Sequence, residues 1–505
     1  MSEEKETVDV KQQYVDSDGV NDLMALKSNP DVALKLLEEN DEIEYTPEEE
    51  KKLLRKIDRH MIFFMFFTYF WQFMDKNTLS NSAVFGLSED LNLHGQQYSW
   101  AGSLFYFGYL VGQPIASRCF QLLPIPKYVA ICFVCWSIIL VCTTATENFA
   151  GLACIRFFLG VAEATVSPAW VILTSIWYKK DEQPLRVTSW FIGNAVGVIF
   201  GGLIAYGLGH IHSSIASWKW FYVIYGIITF FWGWVIFFFL AESPATAKFL
   251  TDRERLIAVQ RLRDNRTGIK NTTFKIEQAK EALLDPQVWL IVLLEFAGCL
   301  PAGGIQNFGN IIIKSFGFSA FDTVLINMPS GVVQGLTLTI AGVIISKVPN
   351  FCCDMQSIAM IPCIIGTTLV KKLPNSPNST RAGKMVAFWI QYSNTVANVG
   401  IFTLMTRNIS GFTKKTVASS MIFIAYCVAM IAAPQFFKED QAPGYEEGFN
   451  MMISGWVVSL VLPQILKYYY KYENKRRDKR EEVSVLNEEF FDLTDKAQHG
   501  FRYTL

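Results

Sequence analysis

Residues 61–80 read MIFFMFFTYFWQFMDKNTLS, and residues 151–177 read GLACIRFFLGVAEATVSPAWVILTSIW. Both are long enough to cross a bilayer as a helix, which needs about 20 residues. Each holds two ionisable side chains within hydrocarbon: Asp75 and Lys76 in the first, Arg156 and Glu163 in the second. A charge at the centre of a lipid-facing helix costs about 2.5–3.5 kcal/mol even on the mildest scales, so such residues face a partner or a watered pathway. The pattern predicts a helical membrane protein that handles something charged.

Outward from these stretches the rest of the chain repeats the theme. Of 505 residues, 51% are apolar and 18% charged, and the charges gather in short blocks between apolar runs. The runs predict about twelve spans. Their approximate limits are Met61 to Ser80, Tyr98 to Arg118, Tyr128 to Thr146, Ala150 to Ile176, Val187 to Gly209 and Lys219 to Leu240, then Val288 to Phe308, Thr323 to Ser346, Cys352 to Val370, Lys384 to Thr406, Thr416 to Phe437 and Phe449 to Tyr469. The longest internal polar segment divides them six and six, as in transporters built from repeats. The expected organisation is a mostly disordered cytoplasmic tail (1–60), a six-helix bundle (61–241), a cytoplasmic loop with amphipathic helices (242–286), a second bundle (287–470) and a cytoplasmic tail (471–505). A short helix is expected around residues 31–40.

Lys and Arg concentrate on one set of connections, including Lys51 to Arg59, Lys179 and Lys180, the central loop and the KRRDKR run at 475–480. That asymmetry places both termini and the central loop in the cytoplasm. The loop with Lys371, Lys372, Arg381 and Lys384 dissents; if it is external, Asn378 in the sequon Asn378-Ser-Thr is a glycosylation candidate, whereas the sequons at Asn265 and Asn271 are not. In the central loop, Thr251-Asp-Arg-Glu254 has capping-box spacing, predicting a helix to about Asn265 that closes near Gly268 and a second over 275–284, together an amphipathic bridge on the membrane surface.

A net charge of −1 without a basic stripe gives no sign of nucleic acid as a partner. The ten cysteines lie in or beside apolar runs and read as small core residues. No phosphate-binding loop, HExxH or paired-cysteine zinc spacing is present, so no enzyme, metal or cofactor is expected. His210 and His212 lack a third ligand and do not make a metal site.

Arg156 and Glu163 are seven apart, on one helix face but about 10 Å apart along the axis. They do not pair with each other. Counted from the span ends, Asp75 and Arg156 lie at similar depth and are expected to pair, with Glu163 near the midplane. Lys76 and Arg156 read as anchors for a substrate anion, and Asp75 and Glu163 as proton sites, because an anion that occupies the cation releases the carboxylate to take a proton. Static ion pairs that fix helix register are the competing reading. Neutral polar residues inside spans extend the list: Asn194, Gln306, Asn307, Asn327, Gln334, Gln391, Asn394, Asn398 and Tyr426. Gly193, Gly197 and Gly201 predict a close helix approach, and Pro329 a kink.

Met74-Asp-Lys-Asn-Thr-Leu-Ser80 and Arg156-Phe-Phe-Leu-Gly-Val-Ala-Glu163-Ala resemble the anion:cation symporter branch of the major facilitator superfamily. FLTDRERLIAVQRLRDNRTG, FKIEQAKEALLDPQVW, IAAPQFF and FFDLTDKAQHGFRY resemble the fungal allantoate permease group within it. The resemblance implies an all-α membrane protein with twelve transmembrane helices in two pseudo-symmetric six-helix bundles, working by alternating access. It further implies proton-coupled uptake of a small organic anion (carboxylate, ureide, vitamin or sulfonate), with Asp75 and Glu163 in proton coupling and Lys76 and Arg156 on the substrate carboxylate. The proton is the only cofactor-like requirement, the expected unit is a monomer in the lipid bilayer, and the plasma membrane is the expected location, with endoplasmic reticulum or vacuole as alternatives. A proton-antiport exporter of the same fold and a nutrient sensor without transport are the rival functions. Two segments depart from the family pattern: GQPIASRCFQLLPIPKY after the second span, and Tyr426-Cys-Val-Ala-Met-Ile in the eleventh.

Overall fold

The computed structural model describes residues 44–179, 182–211, 213–263, 275–374, 378–479, 493–498 and 500–505. The expected helix at 31–40, the sequons at Asn265 and Asn271, the turn at Gly268, and His212 lie outside them. Helices account for every regular element among the described residues. The first half holds α1 (Pro47–Val84), α2 (Gln97–Leu122), α3 (Ile125–Cys142), the pair α4 (Phe149–Glu163) and α5 (Val166–Trp177), α6 (Gln183–Gly209) and α7 (Ser217–Phe239). Two linker helices follow, α8 (Asp252–Arg263) and α9 (Ile276–Leu284). The second half holds α10 (Pro286–Ser315), the pair α11 (Ala320–Ile326) and α12 (Met328–Lys347), α13 (Cys352–Lys372), the pair α14 (Asn378–Trp389) and α15 (Thr395–Asn408), α16 (Phe412–Ala432) and α17 (Glu446–Asp478).

Nine of the twelve spans are apolar enough to cross a membrane by composition alone among the described residues. The other three are α1, α2 and the α14–α15 pair, and each turns polar side chains inward. Gln72, Asp75, Thr78, Ser80 and Asn81 of α1, Ser99 and Ser103 of α2, and Gln391 and Ser393 of the tenth span are all buried. Polarity inside a span is tolerated only where protein, not lipid, surrounds it.

Three spans are interrupted along their length. The fourth interrupts at Ala164 and Thr165, so Glu163 ends α4 where an unbroken helix was expected. Pro168 explains it: its ring has no N–H to donate and collides with the carbonyl four residues back, that of Ala164. The eighth breaks at Asn327 just before Pro329, as the proline predicts. The tenth passes through a 3₁₀ stretch, Ile390–Asn394.

The glycines of α6 lie where the four-residue spacing places them, against α1. A Cβ on Gly193 would stand 2.7 Å from the Phe66 carbonyl oxygen, one on Gly197 3.2 Å from that of Phe70, and one on Gly201 3.6 Å from Met74 Cγ. Helices α2 and α4 approach more closely still: a Cβ on Gly160 would collide with the Phe105 carbonyl, and one on Gly108 with that of Phe157. Gly160→Ala is therefore expected to lower stability by about 1–3 kcal/mol through overpacking, seen as an earlier thermal transition in detergent. Gly207→Ala, where nothing lies within 4 Å, should leave the transition unmoved.

At the N-terminal end the sequence expectation needs correction. Ordered structure begins before residue 60: α1 starts at Pro47 behind a capping box in which Thr46 Oγ1 accepts from the Glu49 N–H (3.2 Å) and the Glu49 carboxylate accepts from the Thr46 N–H (3.0 Å). The Thr251–Glu254 box is present as predicted, with bonds of 2.8 and 3.3 Å. Each linker helix is clamped to its own half. From α8, the fully buried Arg261 meets Glu50 at 3.2 Å and Glu182 at 2.5 Å, and Glu254 meets Lys56 at 2.6 Å. A hydrogen bond from Lys179, against the opposing effect of burial, holds the Glu50 carboxyl below its ordinary value. From α9, Gln278 Oε1 accepts from the backbone N–H groups of Thr413 and Lys414.

The last residues form a strap across the ends of the second half. Asp495, fully buried, meets Lys414 Nζ at 2.6 Å, and the same ammonium meets Asp285 at 2.6 Å and Glu281 at 2.8 Å. Tyr503 donates to Asp495 (2.7 Å) and stacks on Tyr470 with centroids 5.1 Å apart. Asn474 and Asn408 bond the backbone of Tyr503 and Thr504, and the Leu505 carbonyl accepts from the Cys352 N–H. Arg477, in the basic run read as a topology signal, also donates to the carbonyls of Asp495, Gln498 and Phe501.

Candidate functional site

Hydrogen bonds that join the halves gather at the end of the bundle remote from the termini. Asn310 Nδ2 donates across the seam to Asn81 Oδ1 (2.6 Å), while within the second half Asn327 Nδ2 donates to Asn310 Oδ1 (3.0 Å). Lys314 Nζ donates to the Val84 carbonyl (3.1 Å), Tyr98 OH to that of Asn307 (2.8 Å) and Ser103 Oγ to that of Ile431 (2.7 Å). The Gly95 N–H donates to the Glu439 carboxylate. Deeper in the seam, Tyr106 OH donates to Gln306 Oε1 (3.0 Å), and the Tyr106 and Tyr426 rings meet edge to face at 5.8 Å.

Close packing of α6 on α1 and of α2 on α4 brings Lys76, Arg156 and Glu163 into one cluster. Lys76 Nζ lies 3.7 Å from Glu163 Oε2, which also accepts from Gln72 Nε2 at 3.1 Å. Glu163 is fully buried, and its Oε1 has no hydrogen-bond partner among the described residues. The ammonium of Lys76 also stands 5.3 Å from the Tyr109 ring and 6.0 Å from that of Phe105. Arg156 sits 4.9 Å from the same Phe105 ring, so one aromatic ring serves both cations.

The expected Asp75–Arg156 pair does not form. Asp75 turns toward the sixth span and accepts from Thr229 Oγ1 at 3.2 Å, while Arg156 Nε donates to the Ala101 carbonyl at 3.2 Å. Equal depth fixes the axial position only. Successive helix residues point about 100° apart, so the backbone that aims Lys76 at Glu163 aims Asp75 elsewhere. Arg156 is buried, yet no carboxylate lies within ion-pair distance of it and its terminal nitrogens have no protein acceptor among the described residues. It is a buried cation with open donors.

Other predicted residues divide. Asn194, Asn394 and Asn398 are half-buried, and their side chains have no hydrogen-bond partner among the described residues. Asn307 is buried and its amide donates to the Gly303 carbonyl of its own helix, with Oδ1 packed on Gly102. Tyr426 lies at the α2–α16 seam. Gln391 Oε1 accepts from Thr367 inside the second half, and Gln334 is buried. His210 bonds the Tyr206 carbonyl and packs on Phe321. Asn378 begins α14.

Sequence reasoning missed one ionisable residue inside a span. Glu295 of α10 is buried, and its one hydrogen-bond partner among the described residues is Cys299, whose Sγ donates at 3.3 Å. The signal was available: a single carboxylate in the run LIVLLEFAGCL.

Two apolar six-span halves around a buried, partly unsatisfied set of charges define a secondary transporter, and comparison with known proteins agrees. Residues 65–434 match the sequence profile of the Major Facilitator Superfamily. The chain belongs to that superfamily. It is 36% identical to an allantoate permease of Saccharomyces cerevisiae over 504 residues, covering 96% of this chain and 92% of the permease. It is 37% identical to an uncharacterized transporter of Schizosaccharomyces pombe over 94% of this chain and 90% of the relative. Among solved structures, a proton:xylose symporter superposes with a TM-score of 0.61 at 12% identity, over 82% of this chain and 96% of that one. A bacterial homolog of the lysosomal transporter Spinster, inward-facing and unoccupied, gives 0.60 at 15% identity, over 84% and 97%. The fold is that of this superfamily, and the protein is a multi-pass membrane transporter rather than an enzyme.

Proposed function

We propose that the chain couples uptake of a small organic anion to protons. The observation that carries this reading is the pairing of unsatisfied opposites in one cluster: a buried Arg156 whose terminal nitrogens lack acceptors, and a buried Glu163 whose Oε1 lacks a donor. An anion entering beside Phe105 supplies acceptors to Arg156 and competes with Glu163 for Lys76. Glu163 then holds a proton in place of the ammonium, and both cargoes cross together when the halves rock. Loss of the anion on the far side returns Lys76 to Glu163 and expels the proton. Asp75, held by Thr229, is a second proton site beside this exchange. The name of the allantoate permease, whose substrate is a carboxylate, fits the same chemistry; Asn194, Asn394, Asn398 and Tyr426 are proposed to shape selectivity. A monomer has everything the scheme needs, and the plasma membrane is the proposed site of uptake.

The test uses purified protein in liposomes with an imposed pH gradient, zero membrane potential and labelled carboxylates and ureides. The parent should accumulate substrate toward the alkaline side. Glu163→Gln should lower the limiting accumulation by about tenfold per pH unit, which is one proton or about 1.4 kcal/mol, while anion exchange across the membrane persists. Accumulation without any need for a pH gradient, or unchanged accumulation in Glu163→Gln, removes this reading.

A further inference from the structure

We propose that Gln72 is a positioning residue for the proton step: it keeps hold of Oε2 of Glu163 when Lys76 turns to the anion, reserves Oε1 for the proton, and sets the pH at which that proton is released. This inference rests on the proton-coupled reading above and brings an uncharged residue into it.

Gln72 and Lys76 are four apart on α1 and so project from one face of it, a turn apart. Both reach the same oxygen. Gln72 Nε2 donates to Oε2 of Glu163 at 3.1 Å, and Lys76 Nζ stands 3.7 Å from that atom. Glu163 is the one hydrogen-bond partner of the Gln72 side chain among the described residues, and with 2% of Gln72 exposed, solvent has little access to replace it. The other oxygen, Oε1, is buried and has no partner among the described residues. Glu163 ends α4 beside the interruption at Ala164, and both groups that hold its carboxylate come from α1.

This division of the two oxygens gives each neighbour a task. The ammonium of Lys76 is drawn to an entering anion, whereas the neutral amide of Gln72 has no net charge to pull it away. With Oε2 still held, the proton forms its O–H bond at Oε1, and the same bond breaks when the ammonium returns; no other bond changes. A donor favours the ionised carboxylate over the neutral acid, because a hydrogen bond to a charged acceptor is the stronger one. Gln72 therefore eases release of the proton. The other charged and titratable groups that act on Glu163 are Lys76 and Asp75 from α1, Tyr106 and Tyr109 from α2, and Arg156 on its own helix. A change confined to Gln72 leaves all of them in place.

Gln72→Met keeps the length of the side chain and removes the donor, and Gln72→Leu is a second variant without one. In the same liposomes, the pH difference is held constant while the internal pH is varied. The internal pH that gives half the maximal rate of net uptake should rise by about one unit in both variants, the difference between a hydrogen bond to a charged and to a neutral acceptor. Their rates should recover at alkaline internal pH, which a merely structural role of the glutamine would not predict. The limiting accumulation should equal the parent's, because the number of protons carried is unchanged. An unmoved midpoint, or a loss of rate that is equal at every internal pH in both variants, overturns this inference and leaves the proposed symport standing. No pH-driven accumulation in the parent overturns both.

Discussion

Lys414→Met is expected to cost the folded protein about 3–5 kcal/mol, the usual consequence of removing one partner from a buried ionic cluster. Glu281, Asp285 and Asp495 converge on this single ammonium at 2.8, 2.6 and 2.6 Å, and Lys414, Asp285 and Asp495 are fully buried. The three carboxylates are close enough together to hold a metal ion, but the lysine already serves as their cation. Methionine keeps the length of the stem and removes the charge. Thermal unfolding in detergent, followed by tryptophan fluorescence, measures the loss. Asp495→Asn should cost less, since Lys414 keeps two partners. Acid supplies a check of sign. Burial pushes the Asp285 carboxyl up, but Lys414 outweighs it and holds the group below its ordinary value. That stabilisation is complete above the unfolded carboxylate pKa of about 3.9 and is lost as pH falls through the depressed folded value. The gap between parent and Lys414→Met should therefore narrow on acidification; a constant gap from neutral pH to the acid limit would show that the charge cluster is not its source.

Arg156→Ala is expected to weaken anion binding by about 2–5 kcal/mol, the range for truncating one member of a buried charge-assisted pair. Lys76→Ala should fall in the same range. It removes the partner of Glu163 as well, so its effect should depend more steeply on pH. Arg156→Lys restores the charge but not the planar fork that grips a carboxylate at two points, and it loses stacking on Phe105. Partial recovery is the expected result. Equilibrium binding of a labelled anion to purified protein gives the numbers. A well-folded Arg156→Ala protein that binds as tightly as the parent would leave Arg156 as a packing element around Phe105.

Most of the architecture was legible because twelve hydrophobic runs impose it. The glycines of α6, the capping box of α8 and the break at Pro329 were legible for the same reason: each is a local rule carried by a few adjacent residues. The site was legible in its membership and not in its pairing. Depth along a helix follows from counting residues, but direction around it depends on which neighbour each face meets. That information resides in the contacts of Gly193 with Phe66 and of Gly160 with Phe105, not in Asp75 or Arg156. Glu295 escaped notice because it stands alone in its run, without the paired charge that drew attention to Asp75 and Lys76. The strap escaped because a polar segment without periodicity gives no sign of what it docks on; Asp495 finds Lys414 across 81 residues of sequence.

That separation has a bearing on synthesis. When α16 emerges, Lys414 can reach Glu281 and Asp285, both already made, but not Asp495, Tyr503 or Thr504. Through all of α17 the second half must hold together without one of its two fully buried acidic partners and without the bonds that reach Asn408, Asn474 and Cys352. The first half meets no such delay, since Glu50, Lys179, Glu182 and Arg261 are all in place once α8 is made. The two bundles thus mature on different clocks: one locks once α8 is made, and the other waits for residues 495–505.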